Sequence, residues 1–124
     1  MAEELGTVAP AAQVSCDVVR RFLAEAVFGG DERALRETVA DPVLQERVWL
    51  FWAAFTDRQL DDIDVLFADG TGGWVGSHAS GSLRQIGPYL DQLTEPDGEL
   101  SEHDCTGLYR VADGKIVSAR EAWR

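Results

Sequence analysis

Only two cysteines occur in the chain, Cys16 and Cys105, too few for a disulfide framework. Their spacing matches no metal motif, so each is expected to pack as a small hydrophobe. Lysine is almost absent: Lys115 is the only one, and the other basic residues are arginines. Basic residues are scarce altogether, 11 against 22 acidic ones, which sets the formal net charge at -11. Such a surface repels phosphate backbones and anionic headgroups, so nucleic-acid and membrane-surface roles are disfavoured. No apolar run approaches the ~20 residues needed to span a bilayer. The start, Met-Ala-Glu-Glu-Leu, is acidic and lacks the basic region of a signal peptide, which points to the cytoplasm. Catalytic signatures are missing too. There is no Gly-x-Ser-x-Gly elbow and no Gly-x-Gly-x-x-Gly after a strand, and the glycines at 70–73 lack a phosphate loop's lysine. Two histidines and scattered carboxylates stand at no ligand spacing, so neither a metal nor a cofactor is expected.

What remains is 124 residues, 45% of them hydrophobic, the size and composition of one globular domain. Residues 1–9 are expected to fray. From Pro10 a helical pattern begins, with Val14, Val18, Phe22 and Val27 near one stripe, and it stops at Gly29-Gly30. Asp31 caps a second helix that turns Leu35 and Val39 inward. Asp41-Pro42 starts a third, whose apolar members Val43, Leu44, Val48, Trp49, Phe51, Trp52 and Phe55 make a stripe wide enough to predict deep burial. After Thr56-Asp57 the period changes to two: Ile63, Val65 and Phe67 mark a strand. The cluster 69–73 turns the chain into a second strand over 74–81. A short helix is expected within 83–93, interrupted by Gly87-Pro88. Strands at 100–112 and 115–123 follow. Helices first and antiparallel strands after is the order of an α+β domain, with helices packed on one face of a curved sheet and a cavity between.

Asp113-Gly114 between two strand-like runs predicts a hairpin with a type I′ turn, because both central residues need positive φ. A regular two-residue loop pairs Ala112 with Lys115 and, continuing, Asp104 with Trp123. That register puts Asp104, Thr106, Leu108, Val117, Ala119, Glu121 and Trp123 on one face, and His103, Cys105, Tyr109, Val111, Ile116, Ser118 and Arg120 on the other. Glu121 then lies beside Trp123 and diagonal to Asp104. A carboxylate against tryptophan, with a second carboxylate near, has a raised pKa and suits general acid–base work near neutrality. A one-residue slip would separate the two acids. His78, flanked by small residues in the second strand, is a further candidate for proton transfer. Trp49, Trp52, Trp74, Trp123 and Tyr109 are candidate walls for a flat hydrophobic ligand.

Three segments stand out together: Ala54-Phe55-Thr56-Asp57, Gly76-Ser77-His78-Ala79-Ser80-Gly81 and the run from Leu108-Tyr109-Arg110 through Asp113-Gly114-Lys115 to Val117. In this order they resemble the SnoaL-like polyketide cyclases of the wider nuclear-transport-factor-2-like superfamily. The resemblance implies an α+β cone-shaped barrel, usually a homodimer, with a cofactor-free pocket for a hydrophobic or polycyclic substrate. It implies Asp104 near the place of the family's acid/base aspartate and His78 on its strand histidine. Two departures stand out. Residues 38–42 run almost straight from the second helix into the third, where the family has a strand and a loop. Arg120 and Arg124 stand where the family's last strand carries tryptophan and aspartate. The expected activities are an aldol-type ring closure or isomerisation by carboxylate/histidine acid–base catalysis, or epoxide opening; a non-catalytic ligand-binding or accessory subunit is the alternative.

Overall fold

The computed structural model describes residues 10–89 and 96–124. The expectation for residues 1–9 falls outside them. Helix α1 (Pro10–Arg21) continues through Phe22–Phe28 in wider π-type turns. Such turns leave carbonyls without regular helical partners, and side chains supply them. Trp52 Nε1 donates to the carbonyls of Ala26 at 2.9 Å and Val27 at 3.1 Å, and Arg58 Nε donates to Phe28 at 3.2 Å. The buried face is Ala12, Cys16, Val19, Leu23 and Ala26, spaced by three and four. The stripe expected through Val14 and Val18 is therefore displaced: Val14 is exposed and Val18 only partly covered. The small side chains pack closely inward, where Ser15 Oγ reaches the carbonyl of Gly72.

Helix α2 (Glu32–Thr38) is capped by Asp31, whose carboxylate accepts from the Ala34 amide at 3.1 Å. Helix α3 (Pro42–Ala54) has Asp41 at its cap and proline in its first turn. Both starts match their sequence signals. The deep burial expected for α3 does not occur. Leu44, Val48, Phe51 and Ala54 face the core, while Val43, Trp49 and Leu50 are exposed. The helix has a sheet on one side only, so an apolar circumference cannot all be covered.

Four strands form one antiparallel sheet in the order β1-β2-β3-β4. They are β1 (Phe55–Ala68), β2 (Trp74–Gln85), β3 (Leu100–Ala112) and β4 (Lys115–Trp123). The sheet is curved over the helices but open, so the fold is α+β without the closed barrel. Extended backbone begins at Phe55, earlier than the expected break after Asp57, and Asp57 itself takes positive φ of 50° where the β1–β2 register shifts. The helix expected within 83–93 is contradicted over its described part. Leu83 and Gln85 point inward and Arg84 outward as the end of β2, and 86–89 are not helical. Leu83 and Ile86 are helically spaced, but pairing of Leu83 with Ser101 wins. Residues 90–93 lie outside the described set.

The β3 and β4 bounds agree with the sequence reading, as does the turn, with φ of 52° at Asp113 and 74° at Gly114. Between α2 and α3 a single parallel bridge joins Val39 to Ile116, and the Ala40 amide donates to the Ile116 carbonyl at 2.9 Å. This one-residue contact covers the head of β4. The core lies between the helices and the inner face of the sheet, around Phe22, Leu23, Leu35, Phe51, Val75, Leu83, Tyr109 and Ile116.

Candidate active site

One residue in β4 decides which side chains meet. Ala112 pairs with Lys115 and Val111 with Ile116, as a regular hairpin requires; then Arg110 pairs with Ser118. Val117 is the extra residue of a β-bulge, and every later pair is shifted by one. Gly107 lies opposite Glu121 and Cys105 opposite Trp123. The regular register is thus overturned. Glu121 leaves the face of Asp104 and joins Tyr109, Cys105, Ala119 and Trp123 on the inner face.

There the Tyr109 hydroxyl donates to Glu121 Oε2 at 2.8 Å, and Cys105 Sγ lies 3.9 Å from the same oxygen. Gly107 makes the first contact possible. The phenol of Tyr109 lies over it, and a Cβ at that position would sit 2.4 Å from the hydroxyl oxygen. Tyr109 is fully buried and packs edge-on against Phe22. Glu121 is partly exposed as a residue, but its carboxyl group is enclosed by protein. Burial pushes its pKa up, against the smaller downward pulls of the Tyr109 hydrogen bond and the Arg47 charge. Burial likewise raises the Tyr109 and Tyr89 phenols and the Cys105 thiol, and the neighbouring Glu121 raises them further. A cavity of about 10 Å³ adjoins the carboxyl, lined by Val27, Arg47, Val48, Phe51, Tyr89, Glu121 and Trp123. That is room for one water at most.

Asp104 and His78 stand on the opposite, outer face. His78 Nε2 is 3.8 Å from Asp104 Oδ2, too long for a direct hydrogen bond, and both side chains are more than a third exposed. Arg124 Nε lies 3.9 Å from Asp104 Oδ1, and β1 brings Asp64 opposite His78. Among the described residues no three metal-ligating side chains converge.

Comparison with known proteins places this geometry in a structural group. No family profile and no curated protein matches the chain. Solved structures do. A candidate polyketide cyclase from Pseudomonas putida superposes with a TM-score of 0.71 at 15% identity, covering 96% of this chain and 93% of its own. A candidate SnoaL-like polyketide cyclase from Jannaschia gives 0.66 at 19% identity over 94% and 90%. TsrD from Streptomyces laurentii gives 0.64 at 16% identity over 90% and 88%. The fold is SnoaL-like. At these identities the likeness carries architecture and not activity.

Within the SnoaL-like cone, the expected catalytic trio is split by the sheet: Glu121 inside, Asp104 and His78 outside. Of the expected ligand walls, Tyr109 and Trp123 accompany Glu121. Trp52 is half-buried and holds the π-type turns, and Trp49 stacks edge-on against it at 4.8 Å with its outer side exposed. Trp74 lies exposed on the outer face, beside Leu108 and Arg120. None of these three lines the inner cavity. Sequence reasoning missed Arg47, Tyr89 and Cys105. The signal for Cys105 is its alternation with Tyr109 on β3; Arg47 and Tyr89 come from distant segments and carry no local mark.

Proposed function

We propose that the chain is a cofactor-independent acid–base enzyme acting on a hydrophobic small molecule, in the manner of a polyketide cyclase. The observation that carries this reading is the enclosed Glu121 carboxyl, hydrogen-bonded by Tyr109 at the edge of an apolar cavity. Burial favours the neutral acid, which donates its proton to a carbonyl oxygen; the carboxylate so formed takes a proton from the adjacent carbon, which leaves the enol and restores the acid. Aldol-type ring closure and isomerisation both use that step, and epoxide opening uses the same acid on a ring oxygen. Tyr109 positions the carboxyl and steadies its anion after transfer; Arg47 adds a compensating charge. Asp104 and His78 are assigned no role in this step because the sheet stands between them and the cavity.

The test is turnover on a panel of hydrophobic carbonyl and epoxide substrates. Glu121→Gln is expected to lose at least about 100-fold in kcat, whereas Asp104→Asn stays near wild type. Full activity of Glu121→Gln sinks the mechanism. A second reading, a non-catalytic binding or accessory module, is favoured by one observation: the cavity of about 10 Å³ is far smaller than an ordinary ligand site. No turnover by wild type across the panel, with a ligand retained, supports that reading instead. In either case we take the protein to act as a homodimer through the uncovered outer face of its sheet.

A further inference from the structure

The inner face of the sheet carries a buried polar side chain that the acid–base step does not use. Ser77, in the first half of β2, is only 1% exposed. Among the described residues its hydroxyl has no partner in full hydrogen-bond geometry. A buried hydroxyl left unpaired is costly, and such groups in folded proteins normally find a partner. Val65, which pairs with Ser77 from β1, has an apolar side chain and offers none.

The register shows where that partner lies. Ser77 stands opposite Gly107, and Gly107 opposite Glu121, so the three form one inward-facing row across β2, β3 and β4. Neighbouring Cβ positions in such a row are about 5 Å apart. The middle position has no side chain, and the Tyr109 phenol takes its place: a Cβ on Gly107 would lie 2.4 Å from the hydroxyl oxygen. That oxygen therefore sits between Ser77 and Glu121. It gives its one proton to Glu121 Oε2 at 2.8 Å, so towards Ser77 it can only accept. Burial and the Glu121 charge push the Tyr109 phenol up, and the Ser77 hydroxyl is near enough to pull it down. A rotation about the Ser77 Cα–Cβ bond brings the donor fully into line.

We propose that Ser77 is a positioning residue of the acid–base step: its hydroxyl donates to the Tyr109 phenol oxygen and completes a chain, Ser77–Tyr109–Glu121, that steadies the Glu121 carboxylate as it forms. The proposal rests on the acid–base reading for the role of Glu121 and adds the residue that tunes it. When Glu121 gives up its proton, the Tyr109 hydroxyl shares its own more fully with the new anion, and negative charge collects on the phenol oxygen. A donor behind that oxygen stabilises the charge and strengthens the Tyr109 bond in turn. Ser77 and Tyr109 are both buried, and Phe22 packs edge-on against the Tyr109 ring, so water does not weaken the chain. Ser77 acts here only through Tyr109.

Carboxyl NMR titration of Glu121 in the full chain tests the link without a substrate. Ser77→Ala should raise the Glu121 pKa by at least about 0.3, since the anion loses support that the neutral acid needs less. Ser77→Cys keeps the volume but donates weakly, so it should behave as Ser77→Ala does. In a Tyr109→Phe background Ser77→Ala should move the value by less than about 0.1, because the connecting hydroxyl is gone. No rise in Ser77→Ala or in Ser77→Cys, or an equal rise with and without the Tyr109 hydroxyl, overturns the proposal. With a substrate from the panel above, Ser77→Ala should move the alkaline limb of the kcat profile to higher pH and leave KM within about twofold. A limb that stays in place while the NMR value rises would sink Glu121 as the working acid and leave the hydrogen-bonded chain standing.

Discussion

A carboxyl group held neutral inside a sheet ties stability to pH, and the sign follows from where it is buried. The folded-state pKa of Glu121 lies above its ordinary value of 4.5, chiefly through desolvation. Below the unfolded value both states hold the proton and the group's full contribution is present. As pH rises, the unfolded chain releases the proton first, so native stability is lost progressively until the folded pKa is passed. The wild-type melting temperature should therefore fall between pH 4.5 and the folded pKa by more than that of Glu121→Gln. The amide variant should gain on wild type at pH 8 relative to pH 4. Parallel melting curves at the two pH values, with a constant difference, would show that Glu121 is ionised and solvated in the native state. Little of this was legible in the sequence. Glu121 beside Trp123 marked an unusual carboxylate, but desolvation by Phe51, Tyr89 and Val48 comes from segments brought together only by the fold.

At the scale of elements, the hairpin shows where legibility ends. Asp113-Gly114 fixed the turn, and the strand bounds on both sides agree because turn chemistry and period-two patterning act locally. The bulge at Val117 has no such mark: valine and serine read as ordinary strand residues, and no glycine flags the extra position. The consequence is large because a one-residue shift exchanges faces. The caps of α2 and α3 were legible for the same local reason as the turn. The inward face of the first turns of α1 was not, since Ala12, Ser15 and Cys16 are small and weakly apolar, and the larger Val14 and Val18 drew the expected stripe away from them. A direct test of the bulge is deletion of Val117. Ile116, Ala119, Glu121 and Trp123 would then alternate regularly inward while the Tyr109–Glu121 pairing is kept. The deletion should cost no more than about 1 kcal/mol by chemical denaturation, a typical surface change, and Glu121 should keep its raised pKa in carboxyl NMR. If the deletion instead drops the Glu121 pKa to that of a solvated carboxylate, the bulge does not set the register.

The described residues form one layer of helices and one layer of sheet, so none of them covers the sheet's outer face. Leu66, Phe67 and Trp74 are 59%, 52% and 41% exposed there, and Gly76 has no side chain to obstruct the Phe67 ring that lies over it. An apolar cluster of this kind on a strongly acidic chain marks a contact surface. The charges around it are sorted. Asp62 and Asp64 stand on β1, opposite Ser80 and His78, while Arg120 stands on β4, opposite Leu108, and Arg124 follows beside Asp104. In the homodimer proposed above, a two-fold axis parallel to the strands would lay β1 of one copy over β4 of the other. It would bring the acids of each copy towards the arginines of its partner and close the apolar centre on itself, as an isologous dimer requires. Sedimentation equilibrium at micromolar concentration should therefore show a dimer that weakens with added salt. Phe67→Glu should give a folded monomer. Asp64→Arg and Arg120→Asp should each weaken association, and the double exchange should recover much of it, since the swapped charges again meet their opposites. A wild-type monomer at about 100 μM, where a micromolar interface would be nearly saturated, would mean that this face is covered by something other than a second copy.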